Sequence, residues 1–454
     1  MRGFLASSVG VTCAAALALP LALPAPAQAG PSAVTSETSV PGSTQSLPLV
    51  PLSGDRALGA AAPEQGLDRR DARPFSLVGV IWDDPGSELR GRVQVRTRAA
   101  GTGHWSGWQD VDTHNHEHGA DPDTAEGASR RVRGATAPLW VGASDGVEVR
   151  VDADKAPRDR QEGEERAGAA PGTPLPRGLH LELIDPGGPP GRVDGSAADR
   201  AGGAPGATRA GSVRAGASDG APAADDTELG PLSQEETERQ YLPADSAALR
   251  VTPYIGARPR IITRKGWGAN EKLRERGFVY TKKVKAAFVH HTASGNNYSC
   301  SQVPSVIRSI YRYHVVSSGW RDIGYNFLVD KCGNIFEGRA GGVAKAVLGA
   351  HTLGFNTNSM GIAVLGSFQN TKPTDASLKA IARLTAWKLG LYGGNPRGKT
   401  YLKSGGGNLY RKGKNVRLNV ISGHRDGFAT ECPGRLLYGK LGSARKTAAR
   451  YQGR

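Results

Sequence analysis

The sequence predicts two folded parts in series: a β-rich domain of sandwich type over residues 74–186, then an α/β domain over residues 250–454 whose mixed β-sheet is flanked by helices. Three observations predict this. Short runs alternating apolar and polar residues fill the first part, separated by Gly, Pro and Asp clusters. In the second part, short apolar runs alternate with stretches whose apolar residues recur at helical spacing. Around them lie stretches rich in Gly, Ala, Pro and Ser with no sustained period, so the 454 residues divide into folded units and connectors.

At the start, Arg2 precedes an apolar run that ends in Ala27-Gln28-Ala29. This pattern predicts a secretory signal over residues 1–29, cut before Gly30, and hence a secreted protein, extracellular or associated with the cell wall. A lipid anchor on Cys13 fits less well, because that cysteine sits early in the run and follows Thr12. No later apolar stretch approaches the ~20 residues needed to span a bilayer, so no membrane span is expected. Residues 30–73 read as a flexible leader.

In the β-rich part, Val93 and Val95 alternate with Arg92, Gln94 and Arg96, and Val147, Val149 and Val151 alternate with Glu148, Arg150 and Asp152. That is the period of half-buried strands. The same part carries "HNHEH", with His114, His116 and His118 two apart. On a strand that spacing puts all three on one face, where they could hold a metal. The flanking Asp, Gly and Thr favour a polar loop instead. Residues 187–249 read as a linker of low hydrophobicity.

The second part opens near Thr252. "KAAFVH" predicts a short buried strand, and "PSVIRSIYRYHVV" a helix with Val306, Ile310 and Tyr313 on one face. "GYNFLVDKCGNIFEGR" predicts two strands joined by a tight turn at Asp330 to Asn334. "SMGIAVLGSF" is a further strand. Thr374 can cap a helix whose Leu378, Ile381, Leu384 and Trp387 share a face. "LNVISGH" is the last strand, followed by a loop and a basic terminal helix.

Charge is divided unevenly. Residues 251–454 hold 34 Lys and Arg against 8 Asp and Glu, whereas the whole chain has a net charge of +16. A basic half on an exported protein suits anionic wall polymers; a nucleic-acid partner would rest on charge alone. Removing the signal also removes Cys13 and leaves Cys300, Cys332 and Cys432. An odd count in an oxidising compartment suggests one disulfide and one cysteine with another purpose. Cys300 with Cys332 would tie the loop after the first strand to the hairpin turn; two buried thiols are the alternative.

Cys432 is the cysteine with a histidine in its own loop, in "SGHRDGFATECPG". His290 and His424 both stand at predicted strand ends, where α/β folds display functional side chains. Adjacent strand residues point to opposite faces, so only one of His290 and His291 can share a site with His424. Two histidines and a thiolate suffice for zinc, whose catalytic sites keep three protein ligands and an open fourth position.

The motifs "VHHTAS", "DIGYNFLVD", "IFEGR", "GAHTLGFN", "SMGIAVLG" and "GHRDGFATECPG" follow one another in this order. Over residues 258–440 the chain thereby resembles peptidoglycan recognition proteins and the related type 2 N-acetylmuramoyl-L-alanine amidases. The β-rich part resembles the N-terminal part of secreted actinobacterial members. The resemblance implies Zn2+ on His290, His424 and Cys432, catalytic roles for Tyr325 and Thr430, and substrate contacts from His351 and Asn356. It implies peptidoglycan as partner, and cleavage of the amide between N-acetylmuramic acid and the first L-alanine of the stem peptide. Members without the cysteine bind and do not cut, so a non-catalytic recognition protein is the alternative. A thiol hydrolase dyad of His424 and Cys432 leaves His290 and Tyr325 without a role. "AGGVAKAV" after "EGR" departs from the pair that many relatives carry there, which leaves the stem-peptide preference open. The basic segment 397–417 suggests a hairpin over the groove.

Overall fold

The computed structural model describes residues 42–52, 64–154, 174–188, 226–242 and 254–454. The expected signal sequence lies outside the described residues, as do parts of the expected leader and linker. The first sheet contains β1 (Ser43–Pro48), β2 (Val50–Pro51), β3 (Glu64–Trp82), β4 (Gly91–Ala99), β5 (Gln109–Val111), β6 (Gly134–Ala135), β7 (Leu139–Ala153) and β8 (His180–Asp185). Its order is β1-β8-β3-β7-β4-β5, with β2 and β6 also on β3. All of these pairs are antiparallel. The alternation read from the sequence is the one the sheet uses: Val93, Val95, Val147, Val149 and Val151 point into one core.

This sheet begins earlier than the sequence suggested. Residues 43–48 and 64–73 were expected to belong to a flexible leader, yet the first are paired residue for residue with β8 and the second open β3. Leu49 and Leu67 are buried there. STQSLP is only six residues long and EQGLDRRDAR is largely charged, so neither carries enough apolar alternation to stand out. The expected linker likewise contains β9 (Glu228–Leu229) and α1 (Gln234–Tyr241). The helix opens on a capping box, Ser233 accepting from the Glu236 N–H and Glu236 accepting from the Ser233 N–H.

The rest of the chain adds β10 (Ile261–Ile262), β11 (Ala286–His291), α2 (Val303–Arg312), β12 (Phe327–Val329), β13 (Ile335–Glu337), β14 (Ser359–Val364), α3 (Asp375–Gly390), β15 (Lys399–Lys403), β16 (Asn415–Asn419), β17 (Ile421–Gly423), α4 (Arg435–Tyr438) and α5 (Leu441–Tyr451). The second sheet runs β17-β11-β14-β12-β13-β10-β9. It is mixed: β11 is parallel to both β14 and β17, while β12 and β13 form the expected hairpin. Thr374 caps α3 by accepting from the Ser377 N–H, and Ile381, Leu384 and Trp387 are fully buried against this sheet. β15 and β16 make a separate basic hairpin over Phe288 and Phe355.

Helix α2 lies between the two sheets. Its Val306, Ile307 and Ile310, with Tyr313 just beyond, form one continuous core with Leu77, Ile81, Trp140 and Ile184 of the first sheet. The Tyr313 hydroxyl is within hydrogen-bond distance of the Thr136 and Val80 carbonyls, at 3.1 and 3.3 Å. Burying each such apolar side chain contributes about 1.5–3 kcal/mol. Cys300 and Cys332 form the expected disulfide, with Cα atoms 6.4 Å apart. Among the described residues Cys432 is the free cysteine. No described helix is long and apolar enough to cross a membrane.

Candidate metal centre

The carboxyl ends of parallel strands β11 and β17 bring the site together. His290 is the fifth residue of β11, and His424 follows β17 directly. Pairing of Val289 with Gly423 holds the two strand ends level. The loop carrying Cys432 folds back through the Arg425 N–H, which donates to the Cys432 carbonyl at 3.1 Å. Thr430 Oγ1 accepts from the Cys432 N–H at the same distance. As strand alternation requires, His290 rather than His291 turns toward His424. His291 instead donates its backbone N–H to Cys432 Sγ at 3.4 Å.

One ligand atom from each of His290, His424, Cys432 and also His118 lies within 4.8 Å of the others, and all four residues are buried. Cys432 Sγ is 3.8 Å from His290 Nδ1 and 3.8 Å from His118 Nε2. Zinc bonds of about 2.0–2.3 Å in a tetrahedron set ligand atoms roughly 3.3–3.8 Å apart. The polar inventory also fits a cation. Both ring nitrogens of His424 and Nδ1 of His118 have no hydrogen-bond partner. Each such buried orphan costs about 1–3 kcal/mol.

Burial holds the three imidazoles well below their ordinary pKa, so they are neutral and keep a lone pair to offer. Burial pushes the Cys432 thiol up, so its thiolate needs a cation beside it. The set of imidazoles and one sulfur, without a carboxylate, suits zinc rather than magnesium or calcium.

Around this cluster the other expected residues are placed as follows. His351 is fully buried, with Nδ1 3.2 Å from His290 Nε2, so it steers the His290 ring and leaves Nδ1 of that ring facing the cluster. Asn356 Oδ1 accepts from the backbone N–H groups of His351 and Thr352. Tyr325 is 4% exposed, its ring centroid 5.6 Å from that of His290. Burial pushes its hydroxyl above the usual tyrosine range, which keeps the proton on oxygen. Thr430 donates to Glu117 Oε1 at 2.6 Å. Asp426 touches neither ring nitrogen of His424; its carboxylate accepts from the Gly423 N–H and the Tyr438 hydroxyl.

The "HNHEH" stretch is a loop, as its flanking residues suggested, and its three histidines part company. His114 lies by Asp112, and His116 lies near Glu88 and stacks edge-on against Phe428. Only His118 enters the cluster. Three histidines in five residues were the available signal; the long-range contacts that select one of them are not written in local spacing.

Parts of the chain are similar to known proteins. Residues 280–435 match the N-acetylmuramoyl-L-alanine amidase family, and residues 29–172 match the family described as Rv3811 N-terminal galactose-binding domain-like. Peptidoglycan-recognition protein SC1a of Drosophila melanogaster is 30% identical over 199 residues, covering 43% of this chain and 91% of that protein. Peptidoglycan-recognition protein SC2 of the same organism is 29% identical over 183 residues, covering 40% and 84%. Among solved structures, wild-type Drosophila PGRP-LB is 26% identical, covers 40% of this chain and 93% of its own, and gives a TM-score of 0.33.

Proposed function

We propose, from the premise that the chain belongs to the peptidoglycan-recognition protein family, that it is a secreted, zinc-dependent N-acetylmuramoyl-L-alanine amidase. The observation that carries this reading is the convergence of His290 Nδ1, His424 and Cys432 Sγ beside the buried Tyr325. His290, His424 and Cys432 would hold zinc, which supplies Lewis acidity and lowers the pKa of water to about 7. His351 fixes the ring of His290. Tyr325, protonated through burial, donates a hydrogen bond to the amide oxygen as negative charge gathers there. Thr430 holds the backbone N–H of Cys432 and so sets the sulfur's position.

Peptidoglycan is the proposed substrate, and the basic second half draws the protein to anionic wall polymers. The test is release of free stem peptides from purified peptidoglycan, abolished by a zinc chelator and restored by zinc. Binding without release at any metal content or protein concentration would leave the recognition reading in its place.

A further inference from the structure

We infer that residues 112–133 are a plug built into this chain, with His118 as a fourth metal ligand and neighbouring carboxylates filling the groove, so that the folded protein is a latent form of the enzyme. The inference rests on the zinc amidase reading and adds a resting state to it. Zinc sites that do chemistry keep three protein ligands and one exchangeable position, whereas four protein ligands close the ion off. Here His118 Nε2 stands 3.8 Å from Cys432 Sγ, within the same cluster as His290 and His424. The fourth position is therefore taken by the chain itself.

The rest of the segment is seated by charge and hydrogen bonds. Glu117 accepts from the Thr430 hydroxyl at 2.6 Å, and its carbonyl accepts from the Leu353 N–H at 3.0 Å. Asp121 accepts from the Asn356 side-chain amide at 2.8 Å and from the Gly354 N–H at 2.7 Å. Glu126 makes a bidentate pair with Arg339, both contacts 2.8 Å. All three carboxylates are buried. These donors are what an anionic peptide strand needs from a groove: side-chain hydroxyl, amide and guanidinium, with backbone N–H groups between them. The plug answers each with a carboxylate or carbonyl of its own, and so mimics the stem peptide of the proposed substrate.

The segment spans 22 residues between β5 and β6 with no strand or helix of its own, a length at which loops are commonly lids or binding elements. Asp112, at its base, accepts from the Ala137 N–H at 2.8 Å, which pins the loop to the sheet while its tip lies over the second domain. Withdrawal of the tip returns the ion's fourth position and the groove donors together. If the open form is about one molecule in a hundred, apparent affinity for substrate falls about a hundredfold.

The test uses the full-length mature chain. Cobalt in place of zinc reports coordination by its absorption spectrum, and competition with a chelating dye gives zinc affinity. His118→Ala should change the cobalt spectrum, weaken zinc binding about tenfold or more, and raise stem-peptide release about tenfold or more. Asp121→Ala combined with Glu126→Ala leaves the four ligands in place; it should raise release with one zinc still bound per chain. Identical cobalt spectra and zinc affinities in wild type and His118→Ala overturn the ligand assignment. Unchanged release in the double variant overturns latency, and decides the matter if His118→Ala does not fold. Zinc bound by none of the proteins defeats the amidase reading itself, whereas a shifted cobalt spectrum without release by any variant upholds the ligand and removes the enzyme.

Discussion

His290 and His424 reach the histidine and cysteine cluster from strand ends, whereas His118 reaches it from the tip of a long loop, and the two routes fix a side chain by different means. On β11, ladder register sets the backbone and alternation sets the direction, so His290 cannot leave without breaking the sheet, and His424 is held one residue beyond the paired end of β17. On the 112–133 loop, no ladder constrains His118. Its place is set by Glu117, Asp121 and Glu126 against Thr430, Asn356 and Arg339. His290 and His424, with Cys432 tied back through the Arg425 N–H, form a permanent half of the centre; His118 is removable, because hydrogen bonds and an ion pair exchange with water at small net cost.

Breaking the permanent half should have the largest effect. Cys432→Ser replaces the thiolate with a hydroxyl that stays protonated, and should weaken zinc affinity and cut stem-peptide release by about a hundredfold or more, read by chelator competition and product assay. The disulfide supports the same half by closing a 32-residue separation between the loop after β11 and the β12–β13 turn. Cys300→Ser should lower unfolding free energy by about 3–4 kcal/mol in denaturant titration. Tyr325→Phe keeps the ring and removes the donor. It should lower kcat about a hundredfold with zinc content and thermal midpoint nearly unchanged.

The smallest effect belongs to the loop. Burial raises the Glu126 pKa, but the Arg339 charge and hydrogen bonds outweigh it and hold the carboxyl below the ordinary glutamate range. A depressed folded pKa means the pair's contribution is complete above the unfolded value, about 4.5, and is lost as pH falls through the folded one. Below pH 4 the wild type should therefore lose stability that Glu126→Gln never had. Denaturation midpoints of the two proteins between pH 6 and pH 3 should converge; parallel curves would mean the pair adds nothing.

What could be read from the sequence follows the same division. Period and capping signals are local, so the valine strands, the Thr374 cap, the β12–β13 hairpin and the strand ends at His290 and His424 were all legible. The Ser233 and Glu236 capping box was also local, but it lay in a stretch taken as linker on composition. His118 was not legible, because its role depends on residues some 170 to 314 positions away. The same holds for His351, whose motif marks its neighbourhood but not that its ring leans on His290.

The seam where α2 meets the first sheet has a consequence for how such a protein is switched on. Leu77, Ile81, Trp140 and Ile184 share their packing with Val306, Ile310 and Tyr313, so prying the two bodies apart would wet all of them at once. Activation by domain separation is thereby disfavoured, and the body behaves as a fixed frame. Any trigger, whether a protease nick or a wall fragment competing for the groove, has to act on the 112–133 loop that arches across it.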